Sequence, residues 1–125
     1  GKMFVDNEDS QSISVIDVAT NTNLGTIILN FKPGYAAFNT TANELWVSDA
    51  TNGKVAYYVD MGGNTWMKHG EFVTGADAHA IAFNGAYGYV TNQGANTVSV
   101  INIATHTKVK DIPVGKKPNG IVFKL

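Results

Sequence analysis

Two residue types are missing from this 125-residue chain, and charge of either sign is scarce. There is no cysteine, which excludes a disulfide frame and any thiolate metal site. There is no arginine either, so all nine basic residues are lysines. Arginine is the preferred fork for phosphates and base edges. Its absence, with no basic run beyond Lys116-Lys117, argues against nucleic acid as a partner. Charged residues make up only 15% of the chain, too few to coat the outer faces of amphipathic helices. No apolar run reaches the roughly 18 residues that a membrane span needs. No Gly-rich phosphate loop, nucleophile elbow or paired-histidine zinc motif occurs.

Hydrophobic residues make up 44% of the chain, and its polar surface has to come from Asn, Thr, Ser and Gly. Those residues favour turns, and Thr also favours strands, so the composition leans towards all-β. Self-similarity then organises the whole sequence. Phe4-Val5-Asp6-Asn7 recurs as Trp46-Val47-Ser48-Asp49 and as Tyr89-Val90-Thr91-Asn92, at steps of 42 and 43 residues. Ile13-Ser14-Val15-Ile16 recurs as Val55-Ala56-Tyr57-Tyr58 and as Val98-Ser99-Val100-Ile101. A third element, Tyr35-Ala36-Ala37-Phe38, recurs as Ala80-Ile81-Ala82-Phe83 and as Gly120-Ile121-Val122-Phe123. Three matched elements in register make this a true repeat.

A β-rich period near 42 residues predicts a propeller blade of four short strands. Helical repeats of that length need amphipathic runs that are not present. The reading is one all-β domain over 1–125, with repeat units at about 2–43, 44–86 and 87–125. Asn52-Gly53, Gly62-Gly63-Asn64 and Asn39-Thr40-Thr41-Ala42-Asn43 punctuate the strands. Pro113 falls in an outer strand, where an unpaired edge tolerates it. Trp46 shares its position with Phe4 and Tyr89 and is expected in the core between blades. The chain begins at the aromatic-Val strand and ends on a lone inner strand, 119–123. Two copies exchanging these loose ends would close a six-bladed ring, and the rival expectation is a longer propeller whose other blades lie elsewhere.

Tyr89-Val90-Thr91-Asn92, with Asn96-Thr97-Val98-Ser99-Val100-Ile101 and Pro113-Val114-Gly115-Lys116-Lys117-Pro118-Asn119-Gly120-Ile121 after it, resembles the YVTN family of propeller repeats. The likeness extends over all three units and is weakest in the middle one, which has Ala78-His79-Ala80 where the last has Pro118-Asn119-Gly120. It implies an exported, periplasmic or surface-displayed propeller. It leaves function open, because relatives of this kind range from surface-layer proteins to propeller parts of haem and quinone enzymes.

His79 stands where a loop leads into an inner strand, so it should face the mouth of the axial channel. It is a candidate ligand-binding residue, or a histidine that fixes neighbouring backbone. Its counterparts are Gly34 and Asn119, so no ring of metal ligands is built, and Asn119 joins it as a candidate for ligand contact. Trp66, after a Gly-rich turn and without a counterpart, is the expected exposed aromatic and the third candidate. Met67 and His69 fall on the outer strand with no third ligand, so no copper site is expected. Asp6-Asn7-Glu8-Asp9 reads as a solvated loop rather than a calcium site, because its counterparts lose the charge. Asn7, Asp49 and Asn92 are expected to cap turns. His106 reads as a solvated turn residue, and Asn39 as an Asn turn rather than a glycosylation site. No catalytic residue, metal or cofactor is assigned. The expectation is a non-catalytic module binding a protein or small ligand across its blade loops, exported or surface-displayed. Its partners are a second copy or the remaining blades of a longer chain. The alternatives are a portion of a haem- or quinone-dependent oxidoreductase, and a structural surface-layer unit.

Overall fold

The computed structural model describes all 125 residues. The chain forms eleven strands, every pairing antiparallel, in three separate sheets. The first sheet holds β1 (Lys2–Asn7), β2 (Ser12–Asp17) and β3 (Thr22–Ile28) in that order. The second holds β4 (Pro33–Asn39), β5 (Glu44–Asp49), β6 (Lys54–Asp60) and β7 (Trp66–Val73). The third holds β8 (Ala78–Asn84), β9 (Tyr87–Asn92), β10 (Thr97–Asn102) and β11 (Thr107–Pro113). These are propeller blades, and the fold expected from the repeat is the one observed. Each sequence unit straddles two sheets, because its small-residue strand opens the next blade. The first sheet therefore has three strands, and residues 119–123 stay outside any ladder.

The repeat persists at the level of irregularities. The two outermost strands of each sheet slip register at one matched place, after Val15, after Tyr57 and after Val100. Such bulges add twist and let the outer strand turn away from the flat sheet. Tight turns close on a left-handed residue, with Asn21, Asn43, Gly53, Gly85 and Asn96 at positive φ, as their chemistry favours. His106 takes the same conformation at φ 53°, in the place where the first blade has Asn21.

Period-two alternation sends side chains of the central sheet into two cores. Leu45, Val47, Ala56 and Tyr58 meet Ile13, Val15, Ile27 and Leu29 of the first sheet. Trp46 and Val55 meet Ile81, Val90 and Ile101 of the third. All six residues of β5 are consequently buried, as expected of a strand with a neighbour on each face. The Trp46 indole is fully buried, with Phe72 and Phe83 edge-on at 4.8 and 4.9 Å between ring centroids. Gly88 leaves the space: a Cβ there would lie 2.5 Å from the indole. Truncating such a tryptophan to alanine typically costs about 3–5 kcal/mol.

Three expectations need correction. His106 is not a solvated turn residue. Its ring lies flat on Tyr57 at 3.8 Å, and its Nε2 sits 2.9 and 3.0 Å from the Glu44 carboxylate oxygens. Glu44 Oε1 also accepts from Trp46 Nε1 at 3.1 Å, so this cluster clamps the third sheet to the second. Trp66 is not an exposed aromatic. It is half-buried, edge-on to Phe4 and Phe38, with Nε1 donating to Asn64 Oδ1 at 2.7 Å. Of the three expected caps, only Asp49 holds its turn, accepting from the Asn52 backbone N–H. Asn7 and Asn92 reach across instead, to Ser12 and Ser14 and to Thr97 and Ser99. Trp46 occupies the inter-blade core as its repeat position implied, and Asn39 is buried with Oδ1 accepting from the Ala42 N–H.

Three substitutions test the seam between the second and third sheets. Gly88→Ala should destabilise by about 1–3 kcal/mol through overpacking against Trp46. Relief of unfolded-state entropy alone would stabilise by roughly 0.4–1 kcal/mol, so the sign of the change in urea midpoint decides. His106→Ala leaves the buried Glu44 without its partner and should cost about 1–3 kcal/mol in the same assay. His106→Asn keeps a residue at ease with positive φ, so its loss reports the stack and hydrogen bond alone.

Candidate functional site

One end of the blades gathers the loops β1–β2, β5–β6 and β9–β10 with the crossovers between sheets. The register fixes this: Pro33 pairs Asp49, Asp49 pairs Lys54 and Lys54 pairs Val73, whereas Asp60 and Trp66 pair at the far end. The inner strands β4 and β8 start side by side at this mouth. A Cβ built on Gly34 would lie 3.5 Å from His79 Nδ1, and the Tyr35 and His79 rings meet edge-on at 5.9 Å. Tyr35 is exposed and His79 half-buried. Neither ring nitrogen of His79 bonds a protein group, so the histidine does not lock its loop.

Asn119 arrives beside it through Thr91. The Thr91 hydroxyl accepts from the Ala80 N–H at 2.9 Å and stands 3.2 Å from the Asn119 carbonyl oxygen. Gln93 Nε2 donates to Asn119 Oδ1 at 3.1 Å. The structure thus places Gly34 and His79 at one end of adjoining strands, with Asn119 near them outside any ladder, and adds Tyr35 and Gln93. Trp66 does not join them, because it begins β7 at the opposite end of the second sheet. Met67 and His69 lie exposed on that same outer strand. Asp6, Glu8 and Asp9 are exposed in the β1–β2 loop, where Lys32 approaches Asp9 at 3.6 Å. The sequence does not single out Tyr35, because it only opens a repeated element whose other copies have Ala80 and Gly120 there. Its register against Ser48, one place beyond a bulge, turns it outward.

Behind the mouth, the crossover from β7 to β8 is held by polar groups. The Thr74 carbonyl accepts from Lys108 Nζ at 2.7 Å, and the Ser99 hydroxyl lies 3.2 Å from it. Ser99 Oγ donates to Asp111 Oδ1 at 2.6 Å and accepts from Asn92 Nδ2 at 2.8 Å. Gly75 packs onto the Asn92 amide so closely that a Cβ would fall 2.8 Å from its carbon. Asn92 Oδ1 is buried without a partner, a local cost within an otherwise satisfied network. Burial works to raise the Asp111 carboxyl, but hydrogen bonds from Ser99 and Lys108 outweigh it and leave the group below its ordinary value.

No family model matches the chain. A stretch of 58 residues, 46% of the chain, is 45% identical to the PE-PGRS family protein PE_PGRS18 of Mycobacterium tuberculosis, and covers 12% of that protein. Among solved structures, hydrazine synthase of Kuenenia stuttgartiensis superposes with a TM-score of 0.84 at 22% identity, over 95% of this chain and 34% of that one. A 6-phosphogluconolactonase-like protein of Bacteroides fragilis gives 0.79 at 21% identity, over 94% and 37%. The chain therefore spans little more than a third of the length of these structures, and the likeness is one of fold.

The Asp111 network carries a pH signature. A carboxyl depressed in the folded state contributes stability above its unfolded value, near 3.8, and loses it as pH falls through the folded value. Asp111→Asn should therefore be less stable than the parent at neutral pH. The gap should close in acid below that value, as followed by urea unfolding at a series of pH values.

Proposed function

We propose that this chain is a non-catalytic propeller module of the YVTN-repeat kind, taking a small polar molecule or a protein segment at the mouth lined by Tyr35, His79 and Asn119. The observation that carries this reading is the meeting of Tyr35 and His79 from successive blades, with both histidine nitrogens free for a ligand. Loop ends of adjacent blades converging on an axis are a common setting for recognition, because a rigid scaffold places mobile contacts there. An imidazole beside a phenol offers both donor and acceptor groups to a polar ligand. Export or surface display is part of the proposal and rests on the repeat resemblance alone.

The ring around this mouth needs further blades, and we assign them to a second copy. In β5 every residue is buried, whereas in the equivalent β1 none is. Met3 and Val5 face solvent there, and Val122 and Phe123 of the unpaired C-terminal segment do likewise. By the register of β8 on β9, Ile121 would pair with Val5, and Phe123 with Met3. A two-fold exchange pairs both loose ends at once and leaves no open blade face.

Two measurements test the reading. Amide and side-chain NMR shifts on fragment screening should cluster at Tyr35, His79 and Asn119, and His79→Ala should abolish them. Shifts scattered elsewhere, or indifferent to the substitution, count against the mouth. Sedimentation should return a mass twice the 13.3 kDa of the chain. A compact monomer at all concentrations rules out the exchanged ring.

A further inference from the structure

The seams on either side of the central sheet are built differently near their outer strands. Between the second and third sheets, Lys108 extends from β11 to the Thr74 carbonyl of the preceding crossover at 2.7 Å and straps the blades together. Its repeat equivalent is Lys68, since Ile101 pairs Lys108 and Tyr58 pairs Lys68. Lys68 makes no such strap. Its ammonium bonds Glu71 Oε2 at 2.8 Å, within its own strand. The equivalent of Thr74 is Leu29, and where the strap would run there is a cavity of about 600 Å³.

This cavity has the makings of a built site. Val15, Ile27 and Leu29 form an apolar floor continuous with the core. Tyr58 is only 4% exposed, yet its hydroxyl bonds no protein group. Burial, with Glu71 and Asp49 adding to it, pushes the phenol up to about 12, so it remains a donor. Tyr58 and Lys68 are direct cross-strand partners, which places phenol and ammonium on one face of the sheet. The rim is fixed in advance: Asn64 Nδ2 donates to the Leu24 carbonyl across the cleft, while its Oδ1 takes the Trp66 N–H. Glu71 is shared by Lys54 and Lys68, so two ammonium groups answer one carboxylate. Glu71 itself stands outside the cleft, and Lys68 is the one charged residue in its lining, which suits an anion.

We infer that this cleft binds a small molecule with an apolar body and a carboxylate, the body on Val15, Ile27 and Leu29, the carboxylate on Tyr58 Oη and Lys68 Nζ. Its volume lies in the range of small-molecule sites, and an apolar floor with a few fixed polar groups is their usual composition. The site lies apart from the mouth at His79, so either can fail without the other.

Phenylacetate serves as the probe, with phenylacetamide as its neutral counterpart, each titrated into the 125-residue chain by nitrogen–proton correlation NMR. The Trp66 indole N–H and the Gly25 amide should shift to saturation with phenylacetate and respond much more weakly to the amide. Tyr58→Phe should weaken phenylacetate by about fivefold, the effect of one lost hydrogen bond. Lys68→Met should remove the preference for the charged probe. The spectra of both variants report folding directly. Equal response to the two probes, shifts unchanged in both variants, or shifts confined to Tyr35 and His79 would each overturn the assignment. So would an apo spectrum in which Lys68 strapped to the Leu29 carbonyl closes the cleft to both probes.

Discussion

Burial of both faces of a β-sheet is the constraint on which everything else in this molecule depends. A four-stranded antiparallel sheet cannot stand alone when its residues alternate between two apolar faces, and stacking identical sheets around an axis is one solution. Here the central sheet achieves it fully. Its second strand is sealed along its whole length, and Trp46 reaches from it into the hollow left by Gly88 on the neighbouring blade. The tryptophan is the largest side chain in the core, and its single polar atom is satisfied by Glu44. Around that bond the His106 clamp is assembled.

The same constraint explains why the first and third sheets look unfinished. The first buries one face and offers the other, so residues sealed in β5 have exposed counterparts in β1, though their types are much the same. The third offers less, because Val90, Thr91 and Asn92 of β9 and Val98 to Ile101 of β10 are buried. Exposure in this molecule is set by position in the stack more than by residue type. The mouth inherits that property, since each inner strand contributes one side chain to a rim whose curvature is fixed by the packing behind it.

Much of this was legible in the primary structure because it is periodic. The three-fold recurrence of an aromatic-Val-polar element closed by Asn or Asp placed β1, β5 and β9, and the shared position of Phe4, Trp46 and Tyr89 marked an inter-blade core. The convergence of Gly34 and His79 followed from the same register. Departures from periodicity were harder to read. His106 clamps two blades because Tyr57 and Glu44 lie across the seam, about fifty and sixty residues away in sequence, and no local pattern encodes that meeting. The usable signal was a histidine in a left-handed turn position held by Asn21 in the first unit. Trp66 was misjudged for a related reason: the turn before it is glycine-rich and polar, but Phe4 and Phe38 of the adjoining strands come to cover it. Bulges were invisible too, and it is a bulge that turns Tyr35 to solvent.

The two seams also differ in how they would part. One is riveted by charged and aromatic groups acting at short range, with Lys108 on a carbonyl and His106 on a carboxylate and a phenol ring. The other has only longer polar contacts, Asn64 to the Leu24 carbonyl at 3.3 Å and Lys2 to Asp60 at 3.8 Å, and rests mainly on aliphatic and aromatic packing around a hollow. Short polar contacts resist separation until they snap, whereas a greasy contact slides, and water entering the hollow would ease the slide. Under mechanical tension this chain should therefore shed its first blade before its second and third let go of each other.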